Sequence, residues 1–394
     1  MTSTVLVYYL MLPPPSPPYV PPDIPSEPLI TTPLAYIEIN GDAKFSTTAL
    51  LEGWPGDGSP ENPYIIDGLE IDLGGENSHG IVIRNTRASF TISNCNFTGA
   101  GASSSWNSRL EVAGILLENV THAELVNNIC SSNDEFGISL RFSNSNTITG
   151  NTANNNWAGI RLTESSNNNI SGNTALYNGI NGIWVTNGNS NTIAANLLND
   201  NEQGITLAGH NNIITGNIAN NNHDDGIGID DGTNNIISGN TACYNIDYGL
   251  GLHGGSNNII TENTANNNDQ EGIFLTQSDS NIISSNTIHN NRIGISLEES
   301  EYNIVENNTC NSNDVGIYLL DSYSNIVVNN TYLNNTQDIL KEFQRRDYDP
   351  EDPEVPEVPE VLLLIESVVY IGLIVVTLLG GMWIVHKRVS KEGN

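Results

Sequence analysis

Basic residues are scarce in this chain. Thirteen Lys and Arg stand against 45 Asp and Glu among 394 residues, so the formal net charge is −32. Between positions 111 and 340 the only Lys or Arg residues are Arg141, Arg161 and Arg292. Binding to nucleic acid or to an anionic lipid surface relies on clustered Lys and Arg, so neither is expected as a partner of this region. Divalent cations and neutral sugars suit such a surface, although acidity also serves plain solubility.

Cysteine and methionine are also few. Cys95, Cys130, Cys243 and Cys310 are too scattered for a disulfide-framework domain, and no C-x-x-C pair supports a zinc knuckle. Methionine occurs at positions 1, 11 and 382 alone. Soft metals prefer clusters of thiolates and thioethers, so the sequence gives no support to such a metal site.

Long apolar runs are absent apart from one near the C-terminus. Residues 361–385 are apolar except for Glu366, and about 20 such residues cross a hydrocarbon core. An acidic, Pro-rich stalk, 341–360, precedes this run, and the basic tail 386–394 follows it. The positive-inside tendency predicts a single-pass cell-membrane protein with a cytoplasmic C-terminus and an extracellular body. A buried core helix is the alternative for the apolar run.

The N-terminal segment 1–35 shows little that predicts regular structure. Its apolar stretch 5–12 has the length of a signal h-region but lacks a basic n-region, so a cleaved export signal is left open. The Pro-rich leader that follows is typical of an extended tether.

Between residues 111 and 340 the sequence repeats every 22 or 23 residues. Each unit begins with a glycine, which we call the unit glycine: positions 114, 137, 159, 182, 204, 226, 249, 272, 294 and 316. An asparagine follows about 14 residues later in almost every unit, from Asn128 to Asn330. This period fits a leucine-rich repeat or a β-helix coil. The units are rich in Asn, Gly, Ser and Thr and poor in helix formers, which excludes the leucine-rich horseshoe.

Alternation within each unit predicts which side chains point inward. The positions one and three after the unit glycine are apolar, as in Ile138 and Leu140, and this is the period of a strand. A second inward column lies three residues before the repeated asparagine, and a third lies two residues after it. Three short strands per turn predict an all-β, right-handed single-stranded parallel β-helix solenoid of about 11–12 coils, with essentially no helix outside the membrane segment.

Two repeated residues then have structural roles. Coils of a β-helix stack about 4.8 Å apart, so each repeated asparagine can hydrogen-bond the next through its amide. The unit glycine marks a turn that needs either a positive φ or a close backbone approach.

Residues 36–110 are expected to form the N-terminal cap and the first irregular coils. Gly80 and Asn94 repeat the 14-residue spacing, and the segment from Tyr64 looks like the first strand. An insertion over 98–109 is predicted to project as a loop. Because a solenoid must close its ends against edge pairing, residues 36–63 and 334–343 are the candidate end caps.

One block gives a specific resemblance. Residues 53–64, GWPGDGSPENPY, followed by Ile65 and Ile66 and by the N-x-I-x-G-N-T units, resemble the NosD-type, pectate-lyase-like β-helix family that is common on archaeal and bacterial surfaces. The resemblance implies the fold. It does not choose an activity, because that superfamily includes sugar lyases, hydrolases and copper-assembly factors. Copper handling, which the NosD name implies, conflicts with the absence of methionine from the body of the chain.

The outward column two residues after the unit glycine predicts a ligand site. It contains Trp184, Thr206, Gly228, Gly251 and Phe274 on successive coils. The two adjacent glycines predict a shallow hollow between the two aromatic residues. Trp184, Gly228, Gly251 and Phe274 are therefore the candidate ligand-binding residues, since an aromatic ring offers a flat apolar platform.

Acidic residues flank the same coils. Carboxylates one coil apart would lie about 5 Å from each other, a spacing that suits calcium or the two acids of a retaining glycosidase. The candidate calcium ligands are Asp224, Asp225, Asp230, Asp231 and Asp247. The candidate catalytic residues are Asp224, Asp230, Asp247 and His253. Plain solvated surface is the third interpretation.

These observations favour a membrane-anchored cell-surface protein with a binding or structural role, in which glycans, divalent cations or other surface proteins are the partners. The alternative is a carbohydrate-active enzyme, a polysaccharide hydrolase or lyase that uses the acidic residues. No arginine is expected at the acidic coils to act as the base that such lyases carry. A binding role is therefore favoured over catalysis.

Overall fold

The structure, a computed structural model, describes residues 36–101 and 111–343. The predicted leader, most of the insertion, the stalk from residue 344, the membrane segment 361–385 and the tail 386–394 lie outside these residues. Within the described part of the chain, no helix has the length and apolar character needed to cross a membrane.

One helix, α1 (Asp42–Glu52), and thirty strands form the described part. In chain order the strands are β1 Ile37–Asn40, β2 Tyr64–Asp67, β3 Glu70–Asp72, β4 Ile81–Thr86, β5 Phe90–Ser93, β6 Asn96–Thr98, β7 Ala113–Val120, β8 Ala123–Val126, β9 Phe136–Arg141, β10 Thr147–Thr149, β11 Ala158–Thr163, β12 Asn169–Ser171, β13 Asn181–Thr186, β14 Thr192–Ala194, β15 Gln203–Ala208, β16 Ile213–Thr215, β17 Ile227–Asp230, β18 Ile236–Ser238, β19 Leu250–His253, β20 Ile259–Thr261, β21 Glu271–Thr276, β22 Ile282–Ser284, β23 Thr287–His289, β24 Ile293–Glu298, β25 Ile304–Glu306, β26 Thr309–Asn311, β27 Val315–Leu320, β28 Ile326–Val328, β29 Thr331–Leu333 and β30 Gln337–Glu342.

The strands form a parallel β-solenoid of about twelve turns. A 13-stranded sheet, the first face, contains β1, β4, β7 and one strand of every later coil to β30. A 12-stranded sheet, the second face, runs from β2 to β28. The third face is a strand pair, β3 and β6, and a three-stranded sheet, β23, β26 and β29, joined by single bridges such as Thr152↔Thr174 and Thr241↔Thr264. The predicted triangular coil is confirmed, with a third side reduced to one paired residue over most of its length.

The predicted inward columns form one continuous core. Ile138 and Leu140 of the first face, Ile148 of the second and Ala153 of the third are all fully buried, and the later coils repeat this pattern. Cys130 and Cys310 share the third-face column and are free and buried. The core therefore grows by one set of apolar side chains with every coil.

The repeated asparagines form a buried ladder. Asn217 donates from its backbone N–H and from Nδ2 to Oδ1 of Asn240, at 2.9 and 3.0 Å, and also from Nδ2 to the Ile193 carbonyl at 2.9 Å. Asn240 repeats these bonds with Asn263 and with the Ile214 carbonyl. Each amide thus ties its own coil to the coil before it and the coil after it.

Two further asparagine ladders, not predicted from the sequence, occupy the other two corners. One begins at Asn133 and the other at Asn146, and both make the same bonds between coils. The residue before each ladder asparagine has a positive φ, as at Tyr244 before Asn245 (61°) and Asn257 before Asn258 (58°). A left-handed residue followed by a buried asparagine therefore builds every corner of the regular coils.

Close backbone approach, not a positive φ, explains the unit glycine. A Cβ built on Gly249 would lie 2.6 Å from the Gly272 carbonyl oxygen and 2.8 Å from the Ala265 Cβ. None of the unit glycines from 114 to 316 has a positive φ. Four of the left-handed glycines, Gly150, Gly172, Gly216 and Gly239, instead precede a ladder asparagine, with φ 63° at Gly239.

The N-terminal end differs from the sequence prediction in two ways. The first strand is Ile37–Asn40, which pairs with β4, so the strand at Tyr64 is the second. Residues 42–52 form a helix where essentially no helix was expected, and Phe45 on it stacks against Tyr64 with ring centroids 4.7 Å apart. The helix covers the open end of the core, as the predicted cap at 36–63 requires.

The ladder position of the early coil is also shifted by one residue. Asn94 has a positive φ of 53°, and Cys95 takes the ladder position, where its N–H donates to Asn128 Oδ1 at 3.0 Å. At the other end β30 adds one more strand to the first face, with most of its residues exposed. The segment near 334–343 is therefore a final coil and not a covering cap.

Replacement of Asn240 by Leu should lower the free energy of unfolding by at least about 3 kcal/mol, because the Asn217 donors and the Ile214 carbonyl lose buried partners at about 1–3 kcal/mol each. The matched control is Asn169→Leu, which changes an exposed residue in strand β12 and should cost less than about 0.5 kcal/mol. Chemical denaturation of both variants measures the difference. Equal losses would show that the ladders do not stabilise the coil.

Candidate functional site

The outward column of the first face has the order predicted from the sequence. Trp184 pairs with Thr206, Thr206 with Gly228, Gly228 with Gly251, and Gly251 with Phe274. The two glycines therefore lie side by side on adjacent coils. Trp184 and Phe274 are four coils apart, roughly 19 Å at the ordinary interstrand spacing.

The Asp225 carboxylate lies over the two glycines. A Cβ on either Gly228 or Gly251 would come within 3.1 Å of Asp225 Oδ2. Asp225 is 5% exposed, and its Oδ1 accepts a hydrogen bond from the Tyr248 N–H at 3.2 Å. The missing side chains of the glycine pair thus make room for a buried acid, and Tyr248 and His253 also come close over Gly251, so other side chains fill the predicted hollow.

Three of the five predicted calcium ligands come together. Asp224, Asp225 and Asp247 each offer a carboxylate oxygen, and these oxygens lie within 4.8 Å of one another. We call these residues the carboxylate cluster. Asp230 and Asp231 are exposed and lie outside this group. The carboxylate cluster therefore comes from two successive coils and lies just before strands β17 and β19.

Of the predicted catalytic residues, two join the cluster and two do not. Asp224 and Asp247 belong to it. Asp230 and His253 are register partners at the far end of strands β17 and β19, where Asp230 is exposed and His253 is half-buried. The His253 ring nevertheless reaches back over Gly251, where a Cβ would lie 3.2 Å from its Nε2 and 3.1 Å from Asp225 Oδ2, so Asp230 alone of the four stands apart.

Burial and mutual repulsion shape the electrostatics of the cluster. The pKa of Asp225 is raised well above its ordinary value, first by burial and then by the Asp224 charge. The pKa of Asp247 is raised by the same two causes in the same order. None of the ion pairs found among the described residues includes a member of the cluster. The cluster is therefore a place where a proton or a cation is favoured.

Sequence reasoning missed the column one residue before the unit glycine. That column places Gln203, Asp225, Tyr248 and Glu271 on four successive coils. Gln203 Nε2 donates to Asp224 Oδ2 at 2.6 Å. Tyr248 stacks on Phe274 with ring centroids 4.5 Å apart. Strict alternation would place the residue one before the glycine inward, with the residues one and three after it, so the period alone did not reveal that this column shares the outer face with the residue two after the glycine.

Glu271 marks the other boundary of the site. It is 3% exposed, burial raises its pKa to about 7, and Arg292 Nη2 donates to its Oε1. Arg292 lies on the next coil, so a basic residue does adjoin the acidic coils, contrary to the sequence expectation. Its guanidinium is already engaged by Glu271 and by Gln270 Oε1, at 2.8 Å in the second case.

The two predicted aromatic residues have different surroundings. Phe274 is only 8% exposed and contacts Tyr248 and His253. Trp184 is half-buried, packs edge-on against Trp157 at 5.6 Å, and lies 5.1 Å from the Arg161 guanidinium. Trp184 therefore offers the more open ring, and one ligand reaches both residues only if it extends along the solenoid.

Stability should fall as the pH rises through the range set by the buried acids. Folding raises the pKa values of Glu271, Asp225 and Asp247. Their contribution to stability is therefore fully present below the pKa values of the unfolded chain, near 4. It is lost as the pH rises through the pKa values of the folded protein, which is about 7 for Glu271. Melting temperatures between pH 4.5 and 7.5, without added divalent cations, measure this decline. Asp225→Asn should flatten it, whereas the exposed control Asp231→Asn should leave it unchanged; an identical slope in the two variants would contradict this assignment.

The chain matches two protein families. The family described as periplasmic copper-binding protein (NosD) matches residues 203–347, and the one described as right handed beta helix region matches residues 79–242. No curated protein is significantly similar to the chain in sequence.

Among solved structures, two enzymes share the fold. A single-residue mutant of the periplasmic alginate epimerase AlgG is 16% identical with a TM-score of 0.56, over 75% of this chain and 83% of the enzyme. The A-module of the Azotobacter vinelandii mannuronan C-5 epimerase AlgE4 is 15% identical with a TM-score of 0.55, over 78% of this chain and 95% of the module. At these identities the likeness concerns the fold alone. The chain therefore has a right-handed β-helix fold, and each of its two family matches, to NosD and to the right-handed β-helix region, covers a part of it.

Proposed function

We propose that this chain is a cell-surface binding protein that binds a divalent cation at the carboxylate cluster. Calcium is the cation that fits this cluster best. The bound cation in turn binds an extended glycan on the first face. The observation that supports it most is the Asp225 carboxylate. It is buried over Gly228 and Gly251, beside two other acids, and outside every ion pair found among the described residues.

A buried, unpaired carboxylate is costly, and the structure offers two ways to relieve it. The acid takes up a proton, or a cation binds between the carboxylates. Near neutral pH a cation relieves all three acids of the cluster at once, whereas protons would have to be taken up separately. Cation binding is therefore favoured by the arrangement of the cluster.

The donor set favours a hard cation. Asp224, Asp225 and Asp247 supply oxygen ligands, and calcium takes six to eight oxygens at about 2.3–2.6 Å. Three carboxylates leave coordination positions for water or for sugar hydroxyls. A bound cation would thus have free coordination positions for a glycan on the first face.

The copper suggested by the NosD family description does not fit these residues. The four cysteines are buried and free, and burial raises the pKa of each thiol. The one group of three or more metal-ligating side chains in the described residues consists of carboxylates. Copper(I) prefers thiolates and thioethers, so no part of the proposal involves copper.

The first face suits an extended glycan. The half-buried Trp184 and the Tyr248–Phe274 pair lie at the two ends of its outward column, and the distance of roughly 19 Å between them accommodates several sugar rings. The two structurally similar enzymes are named for alginate and mannuronan, which are acidic polysaccharides. An acidic sugar could approach the carboxylate cluster only with a cation between them.

Surface anchoring is the second part of the proposal and depends on the sequence alone. The apolar run 361–385, with its acidic stalk and basic tail, supports a single-pass membrane protein that holds the solenoid outside the cell. The cluster would then face the extracellular medium, where calcium is abundant enough for sites of modest affinity.

Catalysis on a polysaccharide is the second candidate. Burial raises the pKa of Glu271 to about 7, so this residue can carry a proton near neutral pH, as a general acid or base must. Burial also raises the pKa values of Asp225 and Asp247. His253 and Tyr248 lie beside these groups. The candidate differs from simple binding in one measurable respect, the appearance of a modified or shortened polymer.

Calcium binding is tested by titration calorimetry on the full-length chain and on two variants. Asp225→Asn should weaken calcium binding by at least about tenfold, because it removes a buried anionic ligand. The control Asp231→Asn changes an exposed acid outside the cluster and should leave the affinity within about twofold. Absence of calcium binding in the unchanged chain, or equal losses in the two variants, would exclude the cluster as the site.

Glycan binding is tested on the same three proteins with alginate and with neutral polysaccharides. The proposal predicts binding that requires calcium and that Trp184→Ala weakens. Binding that persists in a chelator would separate the glycan from the cation. A calcium-dependent change of the polymer, lost in Asp225→Asn, would favour the enzyme over the binding protein.

A further inference from the structure

A column of isoleucines lies on the outer side of the second face. It starts at β16 and continues through six successive coils: Ile213, Ile236, Ile259, Ile282, Ile304 and Ile326. The first three are 38–41% exposed and the others are half-buried. In the four preceding coils the same column contains Glu124, Thr147, Asn169 and Thr192. We call the six residues the isoleucine stripe.

The column beside the stripe is uncharged over most of its length. Thr215, Ser238, Thr261 and Ser284 lie two residues after the first four isoleucines, and Glu306 is the one charged side chain in the two columns. Ser238 Oγ donates to Thr215 Oγ1, and Ser284 Oγ to Thr261 Oγ1, both at 3.1 Å. Because these hydroxyls already bond each other, covering the face would leave few polar groups without partners.

We infer that the isoleucine stripe is the contact surface between two copies of this chain, packed face to face along their second faces. Two copies that each carry a net charge of −32 repel, so a lasting contact must use a surface without charge. The stripe is such a surface. Its side chains recur at the coil spacing of about 4.8 Å, and a second copy has the identical period, so the methyl groups of the two stripes can interdigitate.

The area of the isoleucine stripe limits the affinity of one copy for the other. Six coils at about 4.8 Å by a face roughly 12 Å wide give about 350 Å² per copy, below the roughly 800 Å² of a stable complex. The dimer is therefore weak in dilute solution. It becomes populated where copies are concentrated, for example by anchoring to one membrane, since tethering raises the effective concentration.

The stripe and the carboxylate cluster are on different faces, so the two proposals can fail separately. The second-face strand β20 and the third-face residue Thr264 belong to the same coil, and both Ile259 and Thr264 point outward. Thr264 is therefore a matched control for Ile259. The four native cysteines are buried, which leaves an introduced thiol as the reactive one.

The test uses the full-length chain with Ile259→Cys or Thr264→Cys, treated with a short bismaleimide over a range of protein concentrations. Packed sheets lie about 10 Å apart, within reach of such a linker. The proposal predicts a cross-linked dimer from Ile259→Cys at least about five times more abundant than from Thr264→Cys. Adding Ile236→Glu should lower that dimer by about fivefold through like-charge repulsion, whereas Thr241→Glu on the third face should not.

Equal cross-linking at the two positions, or none at either, would overturn the proposal. The proposal would also be overturned if the thiol of Ile259→Cys resisted labelling by a monofunctional maleimide while no dimer formed. A polysaccharide or another segment of the chain would then cover the stripe. The melting temperature of every variant is compared with that of the unchanged chain, so that loss of the dimer can be distinguished from unfolding.

Discussion

The buried asparagine amide at each corner is the interaction on which the rest of the structure depends. A coil that turns three times in 22 or 23 residues leaves backbone N–H groups and carbonyls at its corners that strands do not pair. Asn240 shows how they are satisfied: its Oδ1 accepts from the coil before, and its backbone N–H and Nδ2 donate to Asn263 in the coil after. Hydrogen bonds of this kind require every coil to have the same corners in the same register. Burial of the apolar columns stabilises the solenoid, but the asparagine amides determine which residues share a column.

The candidate site follows from that register. The unit glycines approach the next coil closely, so the strands of the first face begin at equivalent positions in successive coils. The residues just before these strands therefore stack on one another. Asp224 and Asp247 are thereby brought together, and the Gly228–Gly251 pair gives the Asp225 carboxylate its place over the sheet. A rigid scaffold thus holds three acids close together although each would repel the others. Burial and then that repulsion raise the pKa values of Asp225 and Asp247, and these shifts support the proposed cation site.

Periodicity made the coil predictable from the sequence, and departures from it account for what was missed. The inward columns and one asparagine ladder follow from strict repetition. The ladders from Asn133 and Asn146 were hidden because asparagine is abundant at exposed corners as well, where it adopts a positive φ, as at Asn257. The helix Asp42–Glu52 lies outside the repeats, so no period reveals it. Asp225 was recognised as an acid near the hollow, but its burial depends on where its side chain points, and a column pattern does not specify that direction.

We propose that this regular coil binds a hard divalent cation at its carboxylate cluster. The most direct measurement is a crystal structure of the protein grown with calcium, with anomalous scattering recorded at a wavelength where calcium contributes. We expect one ordered peak bonded to oxygens of Asp224, Asp225 and Asp247, at about 2.3–2.6 Å from them. An ordered calcium peak elsewhere on the first face, or an empty cluster in crystals that hold calcium at other acidic residues, would contradict it.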